Sequence, residues 1–257
     1  MAELNLITLL IAILIGCYVQ TVSGFASGMI VMSVVAISGA TSLPFAAIIV
    51  GIIALMHGVF FLSRKHRDTR WRYVGLLLIG MLPTLFLGVW LLNYLSVHAL
   101  AIAKLILGIF VTVAAVFLVL KPEPFKKISI RRSWLGAGLL GGGFGGLFSV
   151  SGPPLAYLLY RQPLSIDSIR ATLIATFTVS AFLRLTIVAS EGAINWQVVS
   201  VALYSVPVVI AGTWIGHRYP PKYQGQELDS NKMRRLAFVL LFLIGCSVLV
   251  NAVLQLL

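Results

Sequence analysis

Acidic residues are almost missing from this sequence. Asp and Glu number 7 in 257 residues, at Glu3, Asp68, Glu123, Asp167, Glu191, Glu227 and Asp229. All charged residues together make up 10% of the chain, against about 25% in an ordinary soluble domain. That scarcity excludes a water-soluble globule, and a disordered chain would be polar rather than aliphatic. Cysteine is scarce too. Cys17 and Cys246 both lie in apolar runs, which excludes a disulfide framework and disfavours a metal site. No HExxH, P-loop or dinucleotide fingerprint appears, so no catalytic residue and no cofactor is expected.

What is present is apolar. Hydrophobic residues make up 60% of the chain, and the mean hydropathy is +1.03. The expectation is an all-α integral membrane protein. Runs of about 20 apolar residues, enough to cross a bilayer, fall at 42–62, 73–93, 100–120, 169–189, 196–216 and 236–257. Two further apolar segments are interrupted. Segment 4–39 is broken at Gln20-Thr21-Val22-Ser23-Gly24, ahead of Phe25. Segment 133–160 is broken at Ser149-Val150-Ser151-Gly152-Pro153-Pro154. Each reads as a re-entrant helical hairpin or as a pair of short crossings.

The formal charge of +12 does not point to nucleic acid. Fifteen of the 19 basic residues crowd into the loops 63–72, 121–132 and 217–235, while loops 94–99 and 190–195 have none. Lys and Arg concentrate in cytoplasmic loops, so the three basic loops are expected inside. Segment 133–160 must then return to the side on which it starts. The same rule places the N- and C-termini outside.

The two breaks resemble each other. Val22-Ser23-Gly24 aligns with Val150-Ser151-Gly152, 128 residues later. Trp71 aligns with Trp196, then Pro83 and Gly88 with Pro207 and Gly212, in the same order. This predicts a first repeat over 1–120, a cytoplasmic basic linker over 121–132 and a second repeat over 133–257. Each repeat is a broken hairpin followed by three transmembrane helices. Three net crossings is an odd number, so the second repeat is expected upside down. Inverted repeats with discontinuous helices characterise secondary transporters.

Irregular backbone survives at membrane depth only where protein or water covers it. Half-helix N-termini carry free N–H groups and bind anions. Gln20, Thr21, Ser23, Gly24, Phe25, Ser149, Ser151, Gly152, Pro153 and Pro154 are therefore candidate substrate-binding residues. The competing reading has the hydroxyls bonding their own helices. Arg170 and Arg184 join the candidates, because a guanidinium can grip an oxyanion with two bonds. His57, 127 residues before Arg184, is a possible proton carrier. Lys104, near a helix end, is expected to snorkel to the interface. With no carboxylate inside the spans, the cargo should be negative.

Residues 145–159, GGLFSVSGPPLAYLL, with SIRATL at 168–173 and VQTVSGFASGMI at 19–30, resemble the TauE/SafE sulfite-exporter (TSUP) family. The resemblance covers essentially the whole chain. It implies an inner-membrane transporter of sulfite, organosulfonates, thiosulfate or related anions. By matched position it implies a site around Gln20, Gly24, Ser151, Gly152, Pro153 and Arg170. The expected function is a secondary transporter of a small oxyanion working by alternating access. A passive anion channel and a non-transporting membrane scaffold or sensor are the alternatives.

Overall fold

The computed structural model describes residues 5–23, 26–119, 125–219, 222–223, 226–227 and 230–255. The described chain is helical apart from one two-residue antiparallel pairing, Lys222–Tyr223 with Gln226–Glu227. The helices are α1 (Leu6–Ser23), α2 (Ser27–Ser38), α3 (Leu43–Lys65), α4 (Trp71–His98), α5 (Leu100–Val119), α6 (Arg131–Phe148), α7 (Gly152–Tyr160), α8 (Ile166–Ser190), α9 (Trp196–Arg218) and α10 (Ser230–Leu254). A single 3-10 turn, His66–Asp68, follows α3.

Among the described residues, four helices hold spans long and apolar enough to cross a membrane: Leu43–Ser63, Trp71–His98, Asp167–Ser190 and Trp196–Gly216. Shorter apolar stretches lie in α1, α2, α5 and α10. Their outward faces are apolar as well. Phe86, Leu87 and Trp90 of α4 and Leu203, Ile210 and Trp214 of α9 are exposed. Apolar surface of that extent belongs against lipid.

The interrupted segments are both helical hairpins. In the first, the Asn5 N–H donates to the Ala40 carbonyl at 2.9 Å, joining the start of α1 to the end of α2. Nearer the turn, Gly16 lies close against Ser27 and Val31. The α2 helix ends at Gly39, whose φ of 64° suits a residue without Cβ. In the second, Ser129 precedes α6 and Gln162 follows α7, and the two are bonded. The Gln162 amide oxygen accepts from Ser129 N–H at 2.9 Å, and its nitrogen donates to Ser129 Oγ at 2.9 Å. The same nitrogen donates to the Leu158 carbonyl at 2.9 Å. Segment 133–160 therefore returns to the end at which it starts, as the loop charges require.

The chain forms two compact units. One comprises Met1–Ala46, Tyr94–Leu120 and Gln197–Leu257; the other comprises Ala47–Asn93 and Lys121–Trp196. Each unit takes helices from both halves of the sequence. In the first unit, α9 lies against α1, with Gly212 at Leu14 and Cys17 and Gly216 at Thr21. There α5 lies against α10, with Gly108 at Leu249 and Gly245 at Thr112.

In the second unit, a glycine ridge brings α4 and α6 into backbone contact. Gly138, Gly142 and Gly146 face the carbonyls of Leu77, Met81 and Leu85, and Gly80 faces that of Leu135. A methyl group at any of the four would overlap a main-chain oxygen. Contacts that advance together along both helices mean that α4 and α6 run parallel. Close small-residue packing of this kind replaces the hydrophobic drive that lipid cannot provide. Also in this unit, Gly58 of α3 has no room for a Cβ beside Thr178 of α8, and Gly51 lies at Leu185.

Candidate functional site

The second hairpin carries the clearest polar geometry. Here α6 ends at Ser149, with φ 56° and ψ 27°. This is the only non-glycine residue with positive φ among the described residues. A left-handed conformation costs a side-chain-bearing residue about 1–2 kcal/mol. The Ser149 hydroxyl offsets that cost by donating to the Ala47 carbonyl of α3 at 2.6 Å. Its donor is thus committed to holding the break.

The next helix, α7, starts from Ser151, which is 6% exposed and makes no side-chain cap. Gly152 opens α7, and Pro153 and Pro154 follow in its first turn. Proline is accommodated there because a first-turn N–H has no helical partner. The consequence is chemical. Two of the N–H groups that a half-helix would aim at an anion are missing, and Gly152 N–H and the Ser151 hydroxyl remain.

Arg184 meets this hairpin from α8. It is 2% exposed, and its Nε donates to the Gly146 carbonyl at 3.0 Å, in the last turn of α6. The last carbonyls of a helix lack partners and carry partial negative charge, so a cation is stabilised there. The other arm of the guanidinium is not satisfied: Nη1 is buried with no hydrogen-bond partner. A buried charged donor without an acceptor costs several kcal/mol. This atom is the one in the hairpin region most in need of an anion.

The face of α8 leading to Arg184 is polar. Ser168, Thr172, Thr176, Ser180 and Arg184 follow at intervals of four, along one ridge of the helix. All five are buried. Thr172, Thr176 and Ser180 donate to carbonyls of their own helix, at 2.6, 2.8 and 3.0 Å. Each hydroxyl oxygen still has accepting capacity, and Thr172 Oγ1 uses it for the Arg70 N–H at 3.1 Å. Sequence reading missed this ridge, although its spacing of four was visible within the span 169–189.

Arg170 does not join Arg184. It is half-buried in the first turn of α8, 14 residues earlier, or about 21 Å along the axis. One small anion cannot touch both. His57 is half-buried on α3 and is already engaged in an interaction. Lys104, expected at the interface, is largely covered.

The first hairpin is built differently. Gly24 and Phe25 lie outside the described residues, as does the side chain of Ser23. Thr21 turns its hydroxyl back to the Cys17 carbonyl at 2.8 Å, so its donor is committed to its own helix. Gln20 accepts a hydrogen bond from the Ser27 hydroxyl across the break. Ser27 is buried at the start of α2 and was not singled out in the sequence. Unlike α7, α2 has no proline in its first turn, so Ser27, Gly28 and Met29 all keep their N–H groups.

Two hairpins with breaks marked by Ser-Gly, in a chain with lipid-facing helices, agree with the sequence resemblance, and direct comparison decides it. The TauE/SafE sulfite exporter family matches residues 8–248. The chain belongs to that family. It is 36% identical over 238 residues to the "Probable sulfite/organosulfonate exporter TauE" of Cupriavidus necator, covering 93% of this chain and 91% of that one. It is 25% identical over 202 residues to the "Probable inner membrane transporter protein TsaS" of Comamonas testosteroni, covering 76% and 77%. No solved structure matches significantly. The family establishes a membrane transporter and not an enzyme.

Proposed function

We propose that the chain is a secondary transporter moving a small oxyanion, such as sulfite, an organosulfonate or thiosulfate, across the inner membrane by alternating access. One observation carries the reading: the buried, half-satisfied guanidinium of Arg184 at the end of α6. An oxyanion accepting from Nη1 would receive a charge-assisted bond, about twice as strong as a neutral one. Ser151 and Gly152 N–H, on the next helix of the same hairpin, are the remaining donors. Arg170, near the start of α8, would attract the anion at the mouth. The relatives' names, an exporter of sulfite and organosulfonate and an inner membrane transporter, agree with this class of cargo.

The inverted-repeat reading gains support from the packing inside the units. An offset of 127 turns Gly51 into position 178 and Gly58 into position 185. The observed contacts, Gly51 with Leu185 and Gly58 with Thr178, exchange with each other under that shift. Gly108 with Leu249 and Gly245 with Thr112 exchange in the same way at an offset of 137. In both cases the partners run antiparallel, so the relating axis lies across the helices, as inversion needs. The equivalent glycines Gly88 and Gly212 each pack on the hairpin of the other half.

The test is thermal stability of the purified protein with and without sulfite and a short alkyl sulfonate. Saturable stabilisation is expected in the native protein. Arg184→Met should lose that response while staying folded, since replacing a buried unpaired charge by an apolar side chain is often neutral or stabilising. An anion response that survives Arg184→Met would sink the proposal. Flux into vesicles that never saturates would favour the channel instead.

A further inference from the structure

A second polar feature lies at the other end of α6, away from Arg184. A cleft of about 610 Å³ opens between the first turns of α4 and α6, lined by Trp71, Arg72, Tyr73, Ile79, Arg131 and Trp134 among others. That is the size of a small-molecule pocket, about 300–1,000 Å³. From Arg131 to Gly146, where Arg184 binds, is 15 residues of helix, or about 22 Å.

The cleft concentrates positive charge. Because α4 and α6 run parallel, two helix N-termini open side by side, each equivalent to about half a positive charge. Arg72 and Arg131 stand in the same first turns, and both are exposed. Neither helix has an acidic residue in its first turn, and the α6 N-cap is Ile130, which makes no side-chain cap. None of the residues lining the cleft is acidic. Helix starts usually recruit Asp, Glu, Ser or Thr. Here neither first turn holds an acid and the α6 N-cap is apolar, so an anion from outside the chain would be stabilised.

The walls are rigid and partly apolar. Tyr73 stacks on Trp134 with ring centres 4.3 Å apart and planes within 6°. Trp134 donates its indole N–H to the Ser129 carbonyl at 3.1 Å, and Ser129 is fixed by Gln162. Trp71 is 54% exposed, as suits a residue at the headgroup level. Above the cleft, Ile79, Leu82, Phe86 and Trp90 form an exposed stripe along α4. A soluble anion would have no use for that stripe, whereas an acyl chain would lie along it.

We propose that this cleft seats the phosphate headgroup of an anionic phospholipid of the cytoplasmic leaflet, with an acyl chain along α4. The leaflet follows from the three basic loops. Basic pockets between helices on the cytoplasmic side are suited to such headgroups. The bound lipid would neutralise two adjacent helix starts and so hold α4 against α6.

The experiment is native mass spectrometry, with thermal stability in parallel, on delipidated protein in neutral detergent. The additives are phosphatidylglycerol, phosphatidylcholine, inorganic phosphate and sulfite. Phosphatidylglycerol should bind and raise the melting temperature, while phosphatidylcholine and phosphate should not. The double variant Arg72→Gln with Arg131→Gln should bind phosphatidylglycerol roughly thirtyfold more weakly. Its sulfite response through Arg184 should persist, which also shows that it is folded. Equal binding of phosphatidylcholine, undiminished phosphatidylglycerol binding by the double variant, or full replacement of the lipid by free phosphate would each overturn the proposal. Loss of the sulfite response in the native protein alone would count against the transport reading and leave the lipid site intact.

Discussion

The two hairpins start from similar sequence, Val-Ser-Gly at each break, yet they are stabilised by different means. The second is closed by side chains. Gln162, 2% exposed, ties its two ends together with two hydrogen bonds to Ser129 and anchors itself with a third to the Leu158 carbonyl of α7. Ser149 fixes its left-handed turn on the Ala47 carbonyl, and the glycine ridge of α6 presses it against α4. Among the described residues, the first is closed by one main-chain bond at its ends, Asn5 to Ala40, and by Gln20 with Ser27 near its turn. The second offers an anion few backbone donors, because Pro153 and Pro154 have none, but it has a buried arginine. The first keeps its N–H groups in α2, and among the described residues no arginine hydrogen bond to it is seen. Similar sequence at the two breaks thus goes with different polar partners.

The sharpest way to break this comparison is to remove the charge from the second hairpin. Arg184→Gln should reduce oxyanion transport into proteoliposomes roughly a hundredfold, the loss expected for a buried charged hydrogen bond. Near-normal transport would mean that the first hairpin supplies the site. Next in size is the packing contrast. Gly142→Ala should destabilise by about 2–4 kcal/mol, because its methyl meets Met81 O and Thr84 Oγ1. Gly212→Ala, facing Leu14 and Cys17 in the first unit, should cost about half as much. Denaturation of both in one detergent checks the order, and the reverse order would remove the claim that the second hairpin is the more tightly packed.

Smaller effects follow at the ends and breaks. Gln162→Ala should cost about 2–3 kcal/mol, since it strands buried groups at Ser129 and Leu158. If instead the melting temperature is unchanged, the clamp has no energetic role. Ser151→Ala should leave stability within about 0.5 kcal/mol, as the hydroxyl makes no cap. It should weaken oxyanion affinity about fivefold, the value of one ordinary hydrogen bond. The smallest change expected is from Pro153→Ala, which restores an N–H that the first hairpin already has. Anion affinity should rise by roughly twofold, and a fall would show that proline rigidity matters more than the missing donor.

Much of this was legible in the residues. The apolar runs marked the long helices, and the interruptions at Ser23-Gly24 and Ser151-Gly152 marked the hairpins, because backbone in lipid cannot go unpaired. Arg184 was visible as a charge inside a span. Its role was not, because it depends on Gly146, 38 residues away in sequence. Thr21 and Ser149 were candidates by their place in the breaks, and the structure commits their donors to Cys17 and Ala47. Gln162 and Ser27 were passed over because a single polar residue near a helix end has no pattern around it.

The sequence by itself determined the class of molecule and the crowding of its basic residues into three loops. These depend on composition and on the cost of charge in hydrocarbon, which act residue by residue. Tertiary structure decided which charges are satisfied. The scarcity of acids noted at the outset acquires its meaning there: Arg184 Nη1 at the α6 terminus has no hydrogen-bond partner, and no acidic residue lines the cleft at the starts of α4 and α6. Partner choice is a matter of distance between segments remote in sequence, and only the packed helices set those distances.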